Sequence, residues 1–355
     1  MARPGTFYRG ERSHGWIVTL IVSALVVMIL LAIWLFYDLQ QYIVYDKDGV
    51  QLVLPESRSG TQVSAAPDAS GASAADLPLI DVEIVVEQAD YSDIAGTDGG
   101  GLTAIRGRFV PAESVTQATL DYYATDMGGY DALVLELKTA DGALHYHSHL
   151  ALADSYDVNG TFDLQESVEK LRERDIWLVA QLSCLIDGTM AVRNSPIALK
   201  TAAGSLYINN GRAWLDPYSP VTRAYLTGML EELADMGFDE VLLTDLWVPE
   251  DENLRYSSAM TAVPSAADAA SSLALYLRGQ ADALGIRLSG TAERDAAQDL
   301  EVFFKAFDRV AFAADAYGYA DELARLTDAL GGDGDTRILP VAAGWRPEHA
   351  SYVVK

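Results

Sequence analysis

Residues 219–245 read SPVTRAYLTGMLEELADMGFDEVLLTD, and this stretch predicts the unit from which the fold is built. Ser219-Pro220 is typical of a helix start, with serine as the N-cap and proline in the first helical position. Gly237 is typical of a helix end. The apolar run Glu240–Asp245 then predicts a β-strand. A helix that leads directly into a short apolar strand indicates an α/β protein.

Six other apolar runs on either side of this unit also predict strands. They are Ile105–Val110, Ala132–Leu137, Ile176–Leu182, Ile286–Gly290, Arg309–Ala314 and Arg337–Ala343. Helical patterns lie between them, and the sequence Asp163-Leu164-Gln165-Glu166 predicts a capping box at the start of one helix. This alternation indicates parallel strands joined by right-handed crossovers.

Two architectures contain such units, the (β/α)8 barrel and the doubly wound sheet. A doubly wound nucleotide-binding sheet needs a glycine-rich turn after its first strand, whereas Pro111-Ala112-Glu113-Ser114 follows the first strand here. The barrel is therefore favoured. Tyr352–Val354 is the only candidate for an eighth strand, and no helix is predicted before it. We predict an α/β fold with a (β/α)8 TIM-type barrel over residues 104–355 and a degenerate eighth unit.

The N-terminal region predicts a membrane anchor. The run from Trp16 to Phe36 has no charged residue and is long enough to cross a hydrocarbon core of about 30 Å, so residues 16–37 are predicted to form a transmembrane helix. By the positive-inside rule, residues 1–15 would be cytoplasmic because they carry Arg3, Arg9 and Arg12. We expect a single-pass protein of the cell membrane whose C-terminal domain is extracytoplasmic.

Two segments connect this predicted anchor to the barrel. Asp48-Gly49 lies between two β-rich runs, which predicts a juxtamembrane β-hairpin over residues 38–54. Residues 55–103 are largely rich in serine, alanine and glycine and predict a flexible linker with one short candidate strand.

The composition excludes several classes of function. The chain has 25 Lys and Arg against 51 Asp and Glu, a formal net charge of −26, so phosphate backbones would be repelled and nucleic-acid binding is not expected. The single cysteine, Cys184, excludes an internal disulfide framework and an all-cysteine metal site within one chain. We expect no cofactor and no bound metal.

Carboxylates recur where the predicted strands end. Because the functional face of a barrel lies at the carboxyl ends of its strands, these side chains are candidates for one common site. Two carboxyl groups that converge across a cleft are what glycosidic bond cleavage requires. The candidates are Glu136, Asp187, Asp245, Glu293 and Asp315, with Trp214, Trp247, Tyr207 and Tyr317 as aromatic residues in the same loops.

Several segments carry a resemblance to a known family. They are IRGRFVP (105–111), DALVLELKTADG (131–142), DIWLVAQLSCLID (175–187), AWLDPYSP (213–220) and GFDEVLLTDLWVP (237–249). The chain resembles a bacterial glycosyl hydrolase domain family with a TIM-barrel fold, distantly similar to the α-amylase superfamily. The resemblance implies a hydrolase that acts on a cell-envelope or external polysaccharide.

By this resemblance, Asp245 matches the nucleophile position at the end of the fourth strand, and Glu293 stands where a proton donor is expected. The expected substrate-binding residues are Glu136, Asp187, Trp214, Asp216, Trp247 and Asp315. Gln181 stands where the family usually has arginine, and Leu246-Trp247 replace its usual tyrosine. A catalytically inactive barrel that binds a glycan or a protein partner at the cell surface therefore remains the alternative.

A second cluster offers a candidate metal site. His145, His147 and His149 alternate, so on a strand all three would face one side and could offer imidazoles to zinc. The sequence places no acidic or cysteine ligand beside them, which favours a solvent-facing hairpin strip instead. The glycine-rich loop at residues 331–335 lacks the spacing of a calcium site and predicts a turn.

Overall fold

The computed structural model describes residues 43–46, 49–52, 101–257, 263–315, 317–332 and 334–355. The predicted transmembrane helix at 16–37 and most of the predicted linker lie outside these ranges. Within them, no helix is both long enough and apolar enough to cross a membrane. The chain divides into two units, residues 1–84 and residues 85–355.

The described part of the first unit is a pair of short strands. Ile43–Asp46 pairs antiparallel with Gly49–Leu52, and Asp46 lies opposite Gly49. This pairing lies where the Asp48-Gly49 signal predicts a hairpin.

The second unit contains a closed barrel of eight parallel strands, which confirms the predicted TIM-type architecture. The strands are hydrogen-bonded in chain order, and the fourth pairs with the fifth to close the ring. They are β1 (Arg106–Val110), β2 (Ala132–Lys138), β3 (Trp177–Ser183), β4 (Glu240–Thr244), β5 (Arg287–Thr291), β6 (Arg309–Ala314), β7 (Ile338–Ala342) and β8 (Tyr352–Val354).

Helices and short loop strands connect the barrel strands. The helices are α1 (Gln117–Thr125), α2 (Ala151–Ser155), α3 (Gln165–Arg172), α4 (Gly188–Arg193), α5 (Pro220–Met236), α6 (Ala266–Leu284), α7 (Leu300–Ala306) and α8 (Tyr319–Leu330). Two 3-10 turns span Ala112–Ser114 and Ser195–Ile197. Two-residue strands lie at Lys200–Thr201, Ile208–Asn209, Arg212–Ala213 and Leu254–Arg255.

Helix α5 begins and ends as its sequence predicts. The Ser219 side chain accepts a hydrogen bond from the backbone N–H of Thr222, and Gly237 ends the helix in a left-handed conformation with φ of 95°. The capping box predicted at Asp163 is wrong. Helix α3 begins at Gln165 with Leu164 as its N-cap, and the Asp163 carboxylate accepts only from the backbone N–H of Gln165, which is a turn contact.

The eighth unit is degenerate, as predicted, yet it closes the barrel. Within residues 334–355, no helix separates β7 from β8. Val353 lies opposite Val341 of β7 on one side and Gly107 of β1 on the other. A side chain at Gly107 would approach the Val353 methyl to 3.0 Å, so the glycine permits this close pairing.

Apolar side chains fill both the barrel interior and the layer between strands and helices. The interior cluster comprises Ile105, Phe109, Ala132, Val134, Val179, Leu242, Ala311, Leu339 and Val353. Below this cluster, at the amino-terminal end of the strands, Glu240 and Arg309 form an ion pair from which solvent is fully excluded. The barrel is therefore a packed core without a channel, and a ligand must bind at one of its ends.

Candidate active site

Asp245 directly follows β4 at the carboxyl end of the barrel. Its backbone has φ of 54°, a left-handed conformation that is uncommon for a residue other than glycine. Its carboxylate accepts a hydrogen bond of 2.7 Å from the hydroxyl of Ser183, at the end of β3. Its backbone carbonyl accepts a second bond, of 3.2 Å, from the N–H of Leu185. The neighbouring strand therefore holds both the backbone and the side chain of Asp245.

Glu293 lies two residues beyond the end of β5. Its backbone N–H donates to the side-chain oxygen of Gln298 over 2.8 Å. The amide nitrogen of Gln298 in turn donates to the carbonyls of Leu246 (3.1 Å) and Thr291 (3.3 Å). Gln298 thus connects the loop that follows β4 to the loop that carries Glu293.

Asp245 and Glu293 line one cleft of about 370 Å³ at the carboxyl end of the barrel. Trp247 and Asp315, which the sequence also singles out, lie on its wall. The other lining residues are Arg212, Ala292, Arg294, Asp295, Ala296, Phe312, Ala313 and Glu322. The structure therefore brings together four of the eight predicted site residues, including both predicted catalytic carboxylates.

The environment of Glu293 favours its protonated form. Partial burial raises the pKa of the Glu293 carboxyl above its usual value, and the negative charge of Asp245 raises it further. The positive charges of Lys355 and Arg212 act in the opposite direction and are the weaker influence. A carboxylic acid with a raised pKa beside a second carboxylate is the pattern of an acid and nucleophile, or acid and base, pair in glycoside hydrolysis.

Comparison with known proteins assigns the chain to a family. The family described as "Putative glycosyl hydrolase domain" matches residues 110–320, which is more than half of the chain. The chain belongs to this family. The matched range includes Asp245 and Glu293 and extends from the end of β1 into α8. No curated protein matches the chain significantly.

Solved structures with a similar fold come from several organisms. A hypothetical protein from Ruminiclostridium thermocellum is 19% identical, with a TM-score of 0.45 over 51% of this chain and 95% of that chain. Aspergillus fumigatus Ega3 in complex with galactosamine is 10% identical, with a TM-score of 0.43 over 68% and 77%. A GH20 exo β-N-acetylglucosaminidase from Vibrio harveyi is 9% identical, with a TM-score of 0.47 over 68% and 41%.

Asp187 lies outside the cleft and is not placed to contact a substrate there. It is fully buried and forms an ion pair of 2.9 Å with Lys138, which is also fully buried. Its other carboxylate oxygen accepts from the backbone N–H of Met190 and caps α4. The side chain is therefore occupied by structural contacts, which corrects its predicted role in substrate binding.

Asp216 and Trp214 are also internal rather than cleft residues. The Asp216 carboxylate is buried and accepts from the backbone N–H groups of Tyr218 (2.9 Å) and Ser257 (2.6 Å), while its burial raises the pKa of the carboxyl. Trp214 is only 2% exposed and packs edge-on against Trp247, with ring centres 5.6 Å apart. Both predictions of direct substrate contact are therefore corrected, and Trp214 instead supports Trp247 from behind.

Glu136 and Asp315 have backbone partners in the structure. Glu136 is half-buried on β2 outside the cleft lining, and its carboxylate accepts from the backbone N–H of Ala112 over 3.1 Å. Asp315 is exposed on the cleft wall, and two backbone N–H groups, those of Gly318 and Tyr317, lower the pKa of its carboxyl. Asp315 is thus available to a ligand as a carboxylate.

Sequence reasoning missed several basic and polar residues of this site. Arg212 and Arg294 line the cleft, Lys355 lies close enough to influence Glu293, and Ser183 binds Asp245. Arg294 could have been found from its position beside Glu293, since it follows the same strand. The other three come from distant loops or strand ends, and no local pattern marks them.

The histidine cluster does not form the predicted strand. Residues 145–149 lie in an irregular segment that follows a single bridge between Lys138 and Leu144. His147 and His149 are exposed, and their ring centres lie 5.3 Å apart. Among the described residues, no group of His, Cys, Asp and Glu side chains is arranged to hold a metal ion.

Proposed function

We propose that this protein is a glycoside hydrolase that cleaves a cell-envelope or external polysaccharide by paired-carboxylate chemistry. The observation that carries the proposal is the meeting of Asp245 and Glu293 in one cleft at the carboxyl end of the barrel, with the pKa of Glu293 raised. Membership of a glycosyl hydrolase domain family supports the same class of activity.

The two carboxyl groups take different roles because their environments differ. Glu293, protonated, donates its proton to the glycosidic oxygen as the bond to the leaving group breaks. Asp245, which accepts a hydrogen bond from the Ser183 hydroxyl, acts either as the nucleophile that bonds to the anomeric carbon and is later displaced by water, or as the negative charge that stabilises the oxocarbenium-like centre while water attacks it. Trp247 offers an indole face to a sugar ring on the cleft wall.

Two isosteric variants test this assignment on polysaccharides and aryl glycosides. Asp245→Asn keeps the shape of the side chain but removes its charge, so turnover should fall by about a hundred- to a thousandfold. Glu293→Gln removes proton donation and should lower turnover by about a hundred- to ten-thousandfold on a polysaccharide. On a 2,4-dinitrophenyl glycoside the loss of turnover in Glu293→Gln should be much smaller, because this leaving group departs with little protonation.

A matched control is Glu301→Gln, which changes an exposed carboxylate on α7 outside the cleft and should leave turnover unchanged. If the parent protein hydrolyses glycan and both Asp245→Asn and Glu293→Gln are as active as the parent, this site is ruled out. The alternative is an inactive barrel that binds glycan. It would be favoured if the parent protein bound glycan without cleaving it and Trp247→Ala lost that binding.

We further propose that residues 16–37 anchor the protein in the cell membrane with its barrel outside the cytoplasm. The support is the uncharged run from Trp16 to Phe36 and the three arginines that precede it. Protease added to intact cells or spheroplasts should digest the chain beyond about residue 42. Complete protection of the barrel, with lysed cells digested as the control, would exclude this orientation.

A further inference from the structure

The end of β3 and the residues after it surround Asp245 with hydrogen-bond donors. Ser183 donates its hydroxyl to the Asp245 carboxylate over 2.7 Å, and Cys184 donates its backbone N–H to the carbonyl of Thr244 over 2.8 Å. Leu185 donates to the carbonyl of Asp245 itself. Three successive residues therefore fix the left-handed backbone and the carboxylate of one acidic residue.

The Ser183 hydroxyl has one proton and two acceptors within reach. One is the Asp245 carboxylate at 2.7 Å, and the other is the carbonyl of Ile186 at 3.0 Å. An ionised carboxylate is the stronger acceptor, so the proton is directed to Asp245 when that group is charged. Thr244 offers the same carboxylate oxygen a longer contact of 3.4 Å. Ser183 is consequently the principal side-chain donor to Asp245.

A buried ion pair fixes the segment that carries Ser183. The Lys138 ammonium group, at the end of β2, donates to the carbonyl of Ser183 over 2.8 Å and pairs with Asp187 over 2.9 Å. Both ends of the segment 183–187 are thus held by one cation. Burying two charges is costly, and separating the partners would leave each charge unpaired in the interior, so the two side chains are held in contact.

We propose that Ser183 is a positioning residue for Asp245, and that the Lys138–Asp187 pair holds Ser183 in place. The contacts run across the ends of three adjacent strands, from β2 through β3 to β4, and end on the carboxylate that faces the cleft. This inference rests on the proposed role of Asp245, but its structural content can be tested without turnover.

The structural test compares crystal structures of the parent, Ser183→Ala and Ser183→Thr. In Ser183→Ala the Asp245 carboxylate should rotate away from its parent orientation or occupy two orientations. In Ser183→Thr, which keeps the hydroxyl, it should retain the parent orientation. An unchanged carboxylate in Ser183→Ala would overturn the proposal.

The kinetic test uses 4-nitrophenyl glycosides that the parent cleaves. Ser183→Ala should lower kcat by about ten- to a hundredfold, since one hydrogen bond to a charged group is lost, while KM stays close to the parent value. Ser183→Thr should restore most of kcat. Ser271→Ala is the matched control, because Ser271 is buried in α6 and its hydroxyl has no hydrogen-bond partner among the described residues.

The buried pair is tested by replacing both partners together. Lys138→Met with Asp187→Asn removes both charges together, and the side-chain oxygen of the introduced asparagine keeps an acceptor for the Met190 N–H at the start of α4. The chain should therefore fold, while kcat should fall as in Ser183→Ala. If Ser183→Ala kept the kcat of the parent, the role of Ser183 in positioning Asp245 would be overturned. If the double variant kept it, the role of the Lys138–Asp187 pair in holding Ser183 would be overturned. A parent that cleaves no glycoside would count against the proposed function alone, and the crystal structures would still decide the position of Asp245.

Discussion

The pKa of Glu293 depends on the charged side chains around it in the cleft. Asp245→Asn removes a negative charge that raises the pKa of Glu293, so that pKa should fall. Arg212→Gln removes a positive charge that lowers it, so the pKa of Glu293 should rise. Carbon-13 NMR of labelled glutamate carboxyl groups measures both shifts, with Glu293→Gln assigning the signal. Shifts of the same sign in the two variants would contradict this arrangement of charges.

The rise in the pKa of Glu293 that is expected in Arg212→Gln should also change the pH dependence of turnover. If Glu293 is the proton donor, as proposed, activity should be lost as the pH rises through its pKa, because a proton donor acts only in its protonated form. Arg212→Gln should therefore move the alkaline limb of kcat/KM to higher pH.

Prediction of the site from sequence was limited by contacts between distant residues. Asp245 and Glu293 could be found because each closely follows an apolar run, and the barrel brings all strand ends to one face. Asp187, Trp214 and Asp216 occur in similar loops but are buried. Whether such a side chain points into the cleft or into the core depends on loop packing, which no local pattern of residue types specifies.

At the scale of single elements, the capping box at the N-terminus of helix α6 can be tested by substitution. The Ser265 side chain accepts from the backbone N–H of Asp268, and the Asp268 carboxylate accepts in return from the N–H of Ser265. Ser265→Ala removes one side of this capping box and should lower the free energy of unfolding by about 1 kcal/mol. In thermal unfolding this corresponds to a Tm lower by about 2–4 °C.

Ser271→Ala in the same helix is the control, since its hydroxyl has no partner among the described residues and alanine is the better helix former. Its Tm should equal or exceed that of the parent. An equal loss of Tm in both variants would mean that serine at any position of α6 is stabilising, and that the cap has no special role.

Strand positions were predicted closely because buried parallel strands are continuous apolar runs. The predicted and observed bounds of β2 and β3 differ by at most one residue at either end, and those of β6 are identical. Local polar signals were less reliable. Ser219 caps α5 as predicted, whereas Asp163 does not cap α3 and the histidines of 145–149 do not lie on a strand. A polar side chain has several possible partners, so its role depends on contacts that the local sequence does not fix.

At the scale of the whole molecule, a buried ionic network lies at the amino-terminal end of the barrel interior. Glu240 of β4 accepts from Arg309 of β6, from Ser289 of β5 and from the indole N–H of Trp177 of β3. Arg309 also donates to the carbonyl of Thr103 over 2.6 Å. These contacts connect four consecutive strands at the end of the barrel opposite the cleft.

Removing the cation from this network should destabilise the entire barrel. Arg309→Met leaves Glu240 buried without its charge partner, so the free energy of unfolding should fall by about 3–5 kcal/mol. Urea unfolding of the full chain, followed by circular dichroism, measures the loss. Because the network lies at the end of the barrel opposite the cleft, the pKa of Glu293 in the folded variant should not change.

The double variant Arg309→Met with Glu240→Gln separates the charge from the hydrogen bonds. Glu240→Gln removes the charge that would otherwise be unpaired at this position, while the amide oxygen can accept from the Trp177 indole N–H and the amide NH2 can donate to the Ser289 hydroxyl. Most of the lost stability should therefore return, because the cost of the single variant is mainly that of an unpaired buried carboxylate. If the double variant were as unstable as Arg309→Met, the loss would come from the packing of the Arg309 side chain against Trp177, whose ring centre lies 5.9 Å from the guanidinium carbon.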